Sequence, residues 1–282
     1  MTTLNCYATL AEYKSFVTSR GQTASVDATD DALIEVLLKS ASNYINTQTS
    51  RHFYPYIQTR YFDVPKTEES LDMRELKMDD DLLEVLSVTN GDDVVIPSTE
   101  YTIRPRNASP YKWIRLDDAS TYYWATDGSG NSHDVIAVSA IWGCHNHYAQ
   151  AWLLGSTLAE ALDTSETGID VTSGALFSVG DLIRFENEFG YVSAVVTNTL
   201  TNTRGENGST AAIHVTAGNV YIWQVMEEVK TAVLEIAMQA NKRRFGQSNS
   251  NIQTITSAGV VLTPRDIPAM AVDFIRTYRR YS

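Results

Sequence analysis

Residues 31–42 read Asp31-Ala32-Leu33-Ile34-Glu35-Val36-Leu37-Leu38-Lys39-Ser40-Ala41-Ser42. Leu33, Ile34, Leu37, Leu38 and Ala41, with Ile45 just beyond, recur at the spacing that gathers them on one face of a helix. Asp30 and Asp31 precede the apolar run, where carboxylates favour the positive end of a helix dipole. This helix is expected to end near Ser50-Arg51. A shorter one is expected over 10–20: Thr9 and Glu12 have the spacing of a capping box, and Gly21 is a stop signal. Leu10, Tyr13, Phe16 and Val17 form its stripe.

Helix returns at the other end of the chain. Over 224–245, Val225, Val229, Ala232, Val233, Ile236, Ala237 and Ala240 share a face, and Lys242-Arg243-Arg244 before Gly246 suits the negative helix end. A polar segment (247–251) and a hairpin around Ala258-Gly259 follow. A final helix is expected to open at Thr263-Pro264 or Asp266, with Ile267, Met270, Ala271, Phe274, Ile275 and Tyr278 as its stripe.

Between the helical pairs the pattern is β. Strands are expected over 56–64, 82–88, 94–96, 101–104, 112–116 and 134–142, with Asn90-Gly91 as a hairpin turn. Residues 77–81 end in Asp79-Asp80-Asp81 and read as an exposed loop. From 157 to 222 the chain is rich in Gly, Thr and Val, with turns at Gly180-Asp181, Gly205 and Asn207-Gly208 and strands at 182–186, 191–196 and 211–215. The expected fold is α+β: a helical bundle from the N- and C-terminal helices, with β-strands and an inserted small β-barrel or sandwich. Residues 1–156 plus 223–282 would be a discontinuous core and 157–222 the insertion.

The chain has 282 residues, 43% of them apolar, and no apolar run long enough to span a membrane. Its start lacks the basic-then-apolar pattern of a secretory signal, and two cysteines, Cys6 and Cys144, make no disulfide framework, so a cytoplasmic folding site is expected. The net charge of −12 argues against a general nucleic-acid binder. Residues 223–282 hold eight Lys/Arg against five Asp/Glu, a net of +3, which leaves −15 for the first 222. An acidic body with a basic tail suggests a tail that docks on a partner.

Residues 31–42, Thr49-Ser50-Arg51-His52-Phe53 and Arg60-Tyr61-Phe62-Asp63 resemble the opening of tailed-bacteriophage head–tail connector (adaptor, or head completion) proteins. The helix ending Lys242-Arg243-Arg244-Phe245-Gly246, then Ile267-Pro268 and Tyr278-Arg279-Arg280-Tyr281, is similar to the closing helices of that family. Phe177-Ser178-Val179-Gly180-Asp181-Leu182-Ile183, Glu186-x-Glu188 and Arg204-Gly205-x-Asn207-Gly208-Ser209-Thr210-Ala211-Ala212-x-His214 resemble a small β module of phage virion proteins. Together these matches cover about half of the chain, and compact relatives lack residues 157–222.

The resemblance implies a virion protein at the head–tail interface, assembled in the host cytoplasm. It implies a homo-oligomeric ring, dodecameric in most relatives, with the portal protein and the next tail-side connector, stopper or tail protein as partners. Genome DNA passes through without specific binding. Portal or subunit contacts are expected at Ile267, Phe274, Ile275, Arg276, Tyr278, Arg279 and Arg280. Asp79, Asp80 and Asp81 are candidates for lining the channel, where carboxylates repel phosphates; an outward-facing acidic turn is the plainer reading of them. A carbohydrate-binding or other accessory virion β module is the alternative, resting on 15 Tyr and 5 Trp. Of these, Tyr111-Lys112-Trp113 and Tyr122-Tyr123-Trp124 suit interface anchors as well as a core.

No enzyme is expected: Gly-x-Ser-x-Gly, His-Glu-x-x-His and the phosphate loop are all absent. Cys144, His145 and His147 supply metal-type donors without a fourth ligand, so no metal or other cofactor is expected. Glu186 and Glu188 read as exposed carboxylates on one side of a strand.

Overall fold

The structure is a computed structural model that describes residues 5–22, 27–66, 73–244, 253–256, 259–262 and 267–280. The chain divides into two compact units. One comprises 1–51, 178–181 and 225–282, and the other 52–177 and 182–224.

The first unit holds the four α-helices of the described residues: α1 (Leu10–Ser19), α2 (Ala28–Thr49), α3 (Glu227–Arg244) and α4 (Ala269–Tyr278). Helix α1 starts on the expected capping box, with the Glu12 amide donating to Thr9 Oγ1 at 3.2 Å and the Thr9 amide to Glu12 Oε2 at 2.8 Å. Replacing Thr9 with alanine should cost about 1 kcal/mol, and serine should restore it; urea titration of the three proteins is the check. Helix α2 is capped by Asp27 and ends at Ser50, whose left-handed backbone turns the chain out. It buries Ile34, Leu38, Ala41 and Ile45 and packs against α1, α3 and α4. Helix α3 buries Val229, Ala232, Val233 and Ala237. The C-terminal hairpin is present as β13 (Gln253–Thr256) and β14 (Gly259–Leu262). Ala258, the 247–251 segment and the helix starts expected at 263–266 lie outside the described residues.

The second unit carries twelve strands in two antiparallel six-stranded sheets. One contains β1 (Tyr56–Phe62), β2 (Glu75–Thr89), β3 (Val95–Ile96), β4 (Tyr101–Arg104), β5 (Tyr111–Leu116) and β6 (Ile136–Trp142). They run in the order β1-β6-β2-β5-β4, with β3 paired to β2. The other contains β7 (Trp152–Thr157), β8 (Gly168–Asp170), β9 (Leu182–Phe185), β10 (Glu188–Val196), β11 (Thr199–Arg204) and β12 (Asn219–Trp223), in the order β7-β12-β9-β10-β11-β8. Just past its edge strands, the Thr172 amide donates to Thr157 O and the Ala159 amide to Asp170 O, both at 2.9 and 2.8 Å respectively, so this sheet wraps round its own core. That core is Leu158, Leu162, Ile169, Val171, Ile183, Phe185, Val192, Leu200 and Val220. The first sheet covers Leu82, Val88, Ile114, Ile136, Val138 and Trp142.

The expected helical bundle with a small inserted barrel or sandwich is therefore corrected: the two sheets carry most of the structure, with only four helices among the described residues. The physical reason is that several strands lack an alternating apolar signal. Strands β8 and β11 are short and mostly polar, each with a single aliphatic residue, Ile169 and Leu200, and β7 leaves Leu153 and Leu154 exposed beside a register shift. The loop expected at 77–81 is instead part of β2, with Asp81 buried. No strand forms over 211–215, where His214 makes one isolated bridge to Leu162. At Asn90-Gly91 the expected turn is present, but the left-handed residue is Asp93; glycine is required at 91 because a Cβ there would stand 2.1 Å from the Ala125 carbonyl oxygen. No helix among the described residues is long and apolar enough to cross a membrane.

Candidate functional site

Helix α4 follows Pro268, its N-cap residue, whose carbonyl accepts from the Val272 amide at 3.1 Å. It buries Ala271 and Phe274, stacks Phe274 on Tyr278 with ring centroids 4.5 Å apart, and leaves Ile267, Ile275 and Tyr278 half-buried. The Arg280 amide donates to the Thr49 carbonyl at 2.9 Å, pinning the chain's end to the end of α2. Arg276 and Arg279 stand in solvent, while Arg280 is half-buried. The side chain of Arg276 is 77% exposed and only 3.9 Å at nearest from Asp273, an equally exposed pairing worth little in water. Helix α4 thus turns Ala271 and Phe274 inward and two guanidiniums outward, while Met270 of the expected stripe is exposed.

The three aspartates of β2 separate. Asp79 remains exposed, with its carboxylate 2.9 Å from the Arg60 guanidinium. Asp80 accepts from Arg60 and from the Tyr56 hydroxyl, both at 2.8 Å. Burial and the neighbouring Asp80 carboxylate push the Tyr56 phenol well above its ordinary range, which keeps it a donor. Asp81 is 1% exposed and its carbonyl accepts from the Gly143 amide at 2.8 Å. Arg60 itself lies over the Trp142 ring. One arginine thus screens two of the three carboxylates, and Asp79 is the one that faces solvent. The two groups of expected contact residues, on α4 and on β2, belong to different units.

A denser polar constellation lies within the second sheet. Arg204 grips Glu188 through both carboxylate oxygens at 2.7 Å, and His214 Nε2 lies 2.8 Å from Glu188 Oε2. The Ala212 amide donates to the same oxygen at 2.8 Å. Arg204 also donates to the carbonyls of Asp163, Glu166 and Ala212. Burial raises the Glu188 carboxyl, but Arg204, His214 and the Ala212 amide outweigh it and hold the group below its ordinary range. Glu186 occupies a left-handed turn residue between β9 and β10, so it does not continue the strand as its spacing from Glu188 suggested. The expectation that both are exposed is corrected: Glu188 is buried.

Neither a known protein family nor a curated protein matches the chain.

The two sheets of this unit are joined by a second ion pair. Arg184 of β9 binds Glu84 of β2 through two nitrogens at 2.9 and 3.1 Å, and the Tyr148 hydroxyl donates to Glu84 at 2.7 Å. Asn207 adds a bond to the Pro55 carbonyl at 2.9 Å. Such contacts fix one sheet against the other and offer no nucleophile or open acid–base pair. Cys144 and His145 are buried, with His145 Nε2 3.1 Å from the Gln224 carbonyl and Nδ1 accepting from the His147 amide. Among the described residues no three His, Cys, Asp or Glu side chains gather to hold a metal. Of the aromatics singled out, Trp124 is buried and Tyr123 is exposed beneath the Arg74 guanidinium.

Proposed function

We propose that this chain is a structural virion protein of a tailed bacteriophage. In this reading it is an adaptor subunit that forms a homo-oligomeric ring, docks under the portal and lets DNA pass through its channel. The observation that carries the reading is α4: it buries Ala271 and Phe274, its end is bonded to α2, and it presents Arg276 and Arg279 to solvent on a chain of net charge −12. Guanidiniums held on a fixed helix suit bidentate recognition of carboxylates on a partner. The resemblance at both chain ends points to the portal as that partner. Asp79 is the residue of the acidic triplet available to face passing phosphates.

The test is binding to portal rings encoded beside this chain's gene. Arg276→Ala/Arg279→Ala should leave thermal stability unchanged within a few degrees, because exposed charges contribute little to it. It should weaken portal binding about tenfold or more at low salt and flatten the salt dependence. Equal affinities at low and high salt would remove the docking role. A chain that stays monomeric by light scattering, with and without portal, would remove the ring.

A further inference from the structure

The geometry points to a divalent-metal site built on His214 Nδ1 and the Glu186 carboxylate, of the nitrogen–oxygen type that takes zinc or cobalt(II). It does not depend on the virion reading.

His214 is 4% exposed, and its two ring nitrogens have opposite surroundings. Nε2 faces Glu188, an anion that Arg204 and the Ala212 amide already hold in place. A carboxylate accepts only, so Nε2 carries a proton, and when the ring holds that proton alone its lone pair sits on Nδ1. Nδ1 is buried without a hydrogen-bond partner. It lies 3.6 Å from Glu186 Oε2, on a side chain that is 75% exposed. Two electron-pair donors therefore face each other across a gap that calls for an electrophile.

The gap fits a metal ion. A cation about 2.1 Å from each donor would see them at an angle of roughly 120° when they are 3.6 Å apart, within the range of zinc coordination. The space is present too: His214 and Glu186 line a cavity of about 310 Å³ together with Phe185, Asn219 and Tyr221. The support behind the ring is the arrangement that metal-binding histidines use, in which the second nitrogen donates to a fixed carboxylate that orients the ring and raises its basicity. Glu186 and Glu188 against Arg204 leave the locality one negative charge in excess, which favours a cation. With two donors from the chain, the remaining positions belong to water. The competing occupant is a second proton on His214, so the test separates the two.

The intact chain is titrated with zinc at pH 7.5 by calorimetry, and histidine ring nitrogens are followed by NMR. One zinc per chain is expected, with the His214 Nδ1 resonance moving on addition. Glu186→Gln, an exposed change that leaves the Glu188–Arg204 pair intact, should weaken binding at least tenfold. Cobalt(II) should compete for the same site. Three results overturn the proposal: no zinc bound at millimolar concentration, zinc binding that Glu186→Gln leaves unchanged, or a His214 ring already protonated on both nitrogens at pH 7.5.

Discussion

Replacing Arg204 with alanine should lower the free energy of unfolding by about 3–5 kcal/mol, the range for breaking a buried ion pair from one side. Glu188 is almost wholly enclosed, and two of its main partners are the nitrogens of Arg204. Without them the carboxylate keeps only His214 and the Ala212 amide, and it must either stay charged in a poor environment or take up a proton. The carbonyls of Asp163, Glu166 and Ala212 lose their donor as well, so the loops they belong to come loose from β11. Arg204→Met/Glu188→Leu should be far milder than either single change, because no charge is then left stranded. Urea unfolding at constant slope measures all of these. If the double variant is as unstable as Arg204→Ala, packing rather than stranded charge sets the cost. The pH dependence follows with its sign. The Glu188 carboxyl is held below its unfolded value of 4.5, so the pair's contribution is complete above that value and is lost as pH falls through the lower folded one.

That cluster marks where the sequence stops being readable. Glu188, Arg204 and His214 lie 16 and 10 residues apart in order, on two strands and a loop, and no local period announces their meeting. The turn at Glu186 adds to this: a left-handed residue there breaks the two-residue alternation that would place Glu186 beside Glu188. Asp79-Asp80-Asp81 was misleading for a related reason. Three aspartates resemble a solvated turn, but Arg60 and Tyr56 of β1 supply the partners that let Asp79 and Asp80 sit in β2, where Asp81 is buried. The legible parts are those whose signals are local. The Thr9–Glu12 cap, the stripes of α2 and α3, the strand 101–104 and the apolar run ending at Trp142 each carry their own pattern. Helical stripes are long and strong, whereas β8 and β11 are short and mostly polar and β7 carries its apolar residues in one unalternating run, so the sequence overstated the helices and understated the sheets. Of the candidate contact residues, the sorting of α4 into apolar and basic faces was visible, because one helix period determines it.

Replacing Asp181 with asparagine should stabilise the protein by about 2–3 kcal/mol at pH 7.5 and by almost nothing at pH 4. Asp181 ends the 178–181 turn of the helical unit, where its carboxylate accepts from the Ser178 amide at 2.7 Å. Burial pushes its pKa from 3.8 to about 6; the Ser178 amide and Lys230 oppose this, and repulsion from Glu12 adds to it. Lys230 is already committed to Glu12 at 2.8 Å, which limits what it does for Asp181. With the folded pKa above the unfolded one, the folded state binds more protons between about pH 4 and 6, so its stability declines as pH rises through that window. Above about pH 7 the full cost of keeping a carboxylate there is present. Asparagine keeps an acceptor for Ser178 and carries no charge, so it removes the cost and the slope together. Unfolding free energies of both proteins from pH 4 to 8 give the answer, and taking their difference cancels the titration of every other group. Parallel curves across that range would show that Asp181 ionises freely in the folded protein, and the burial argument would fail.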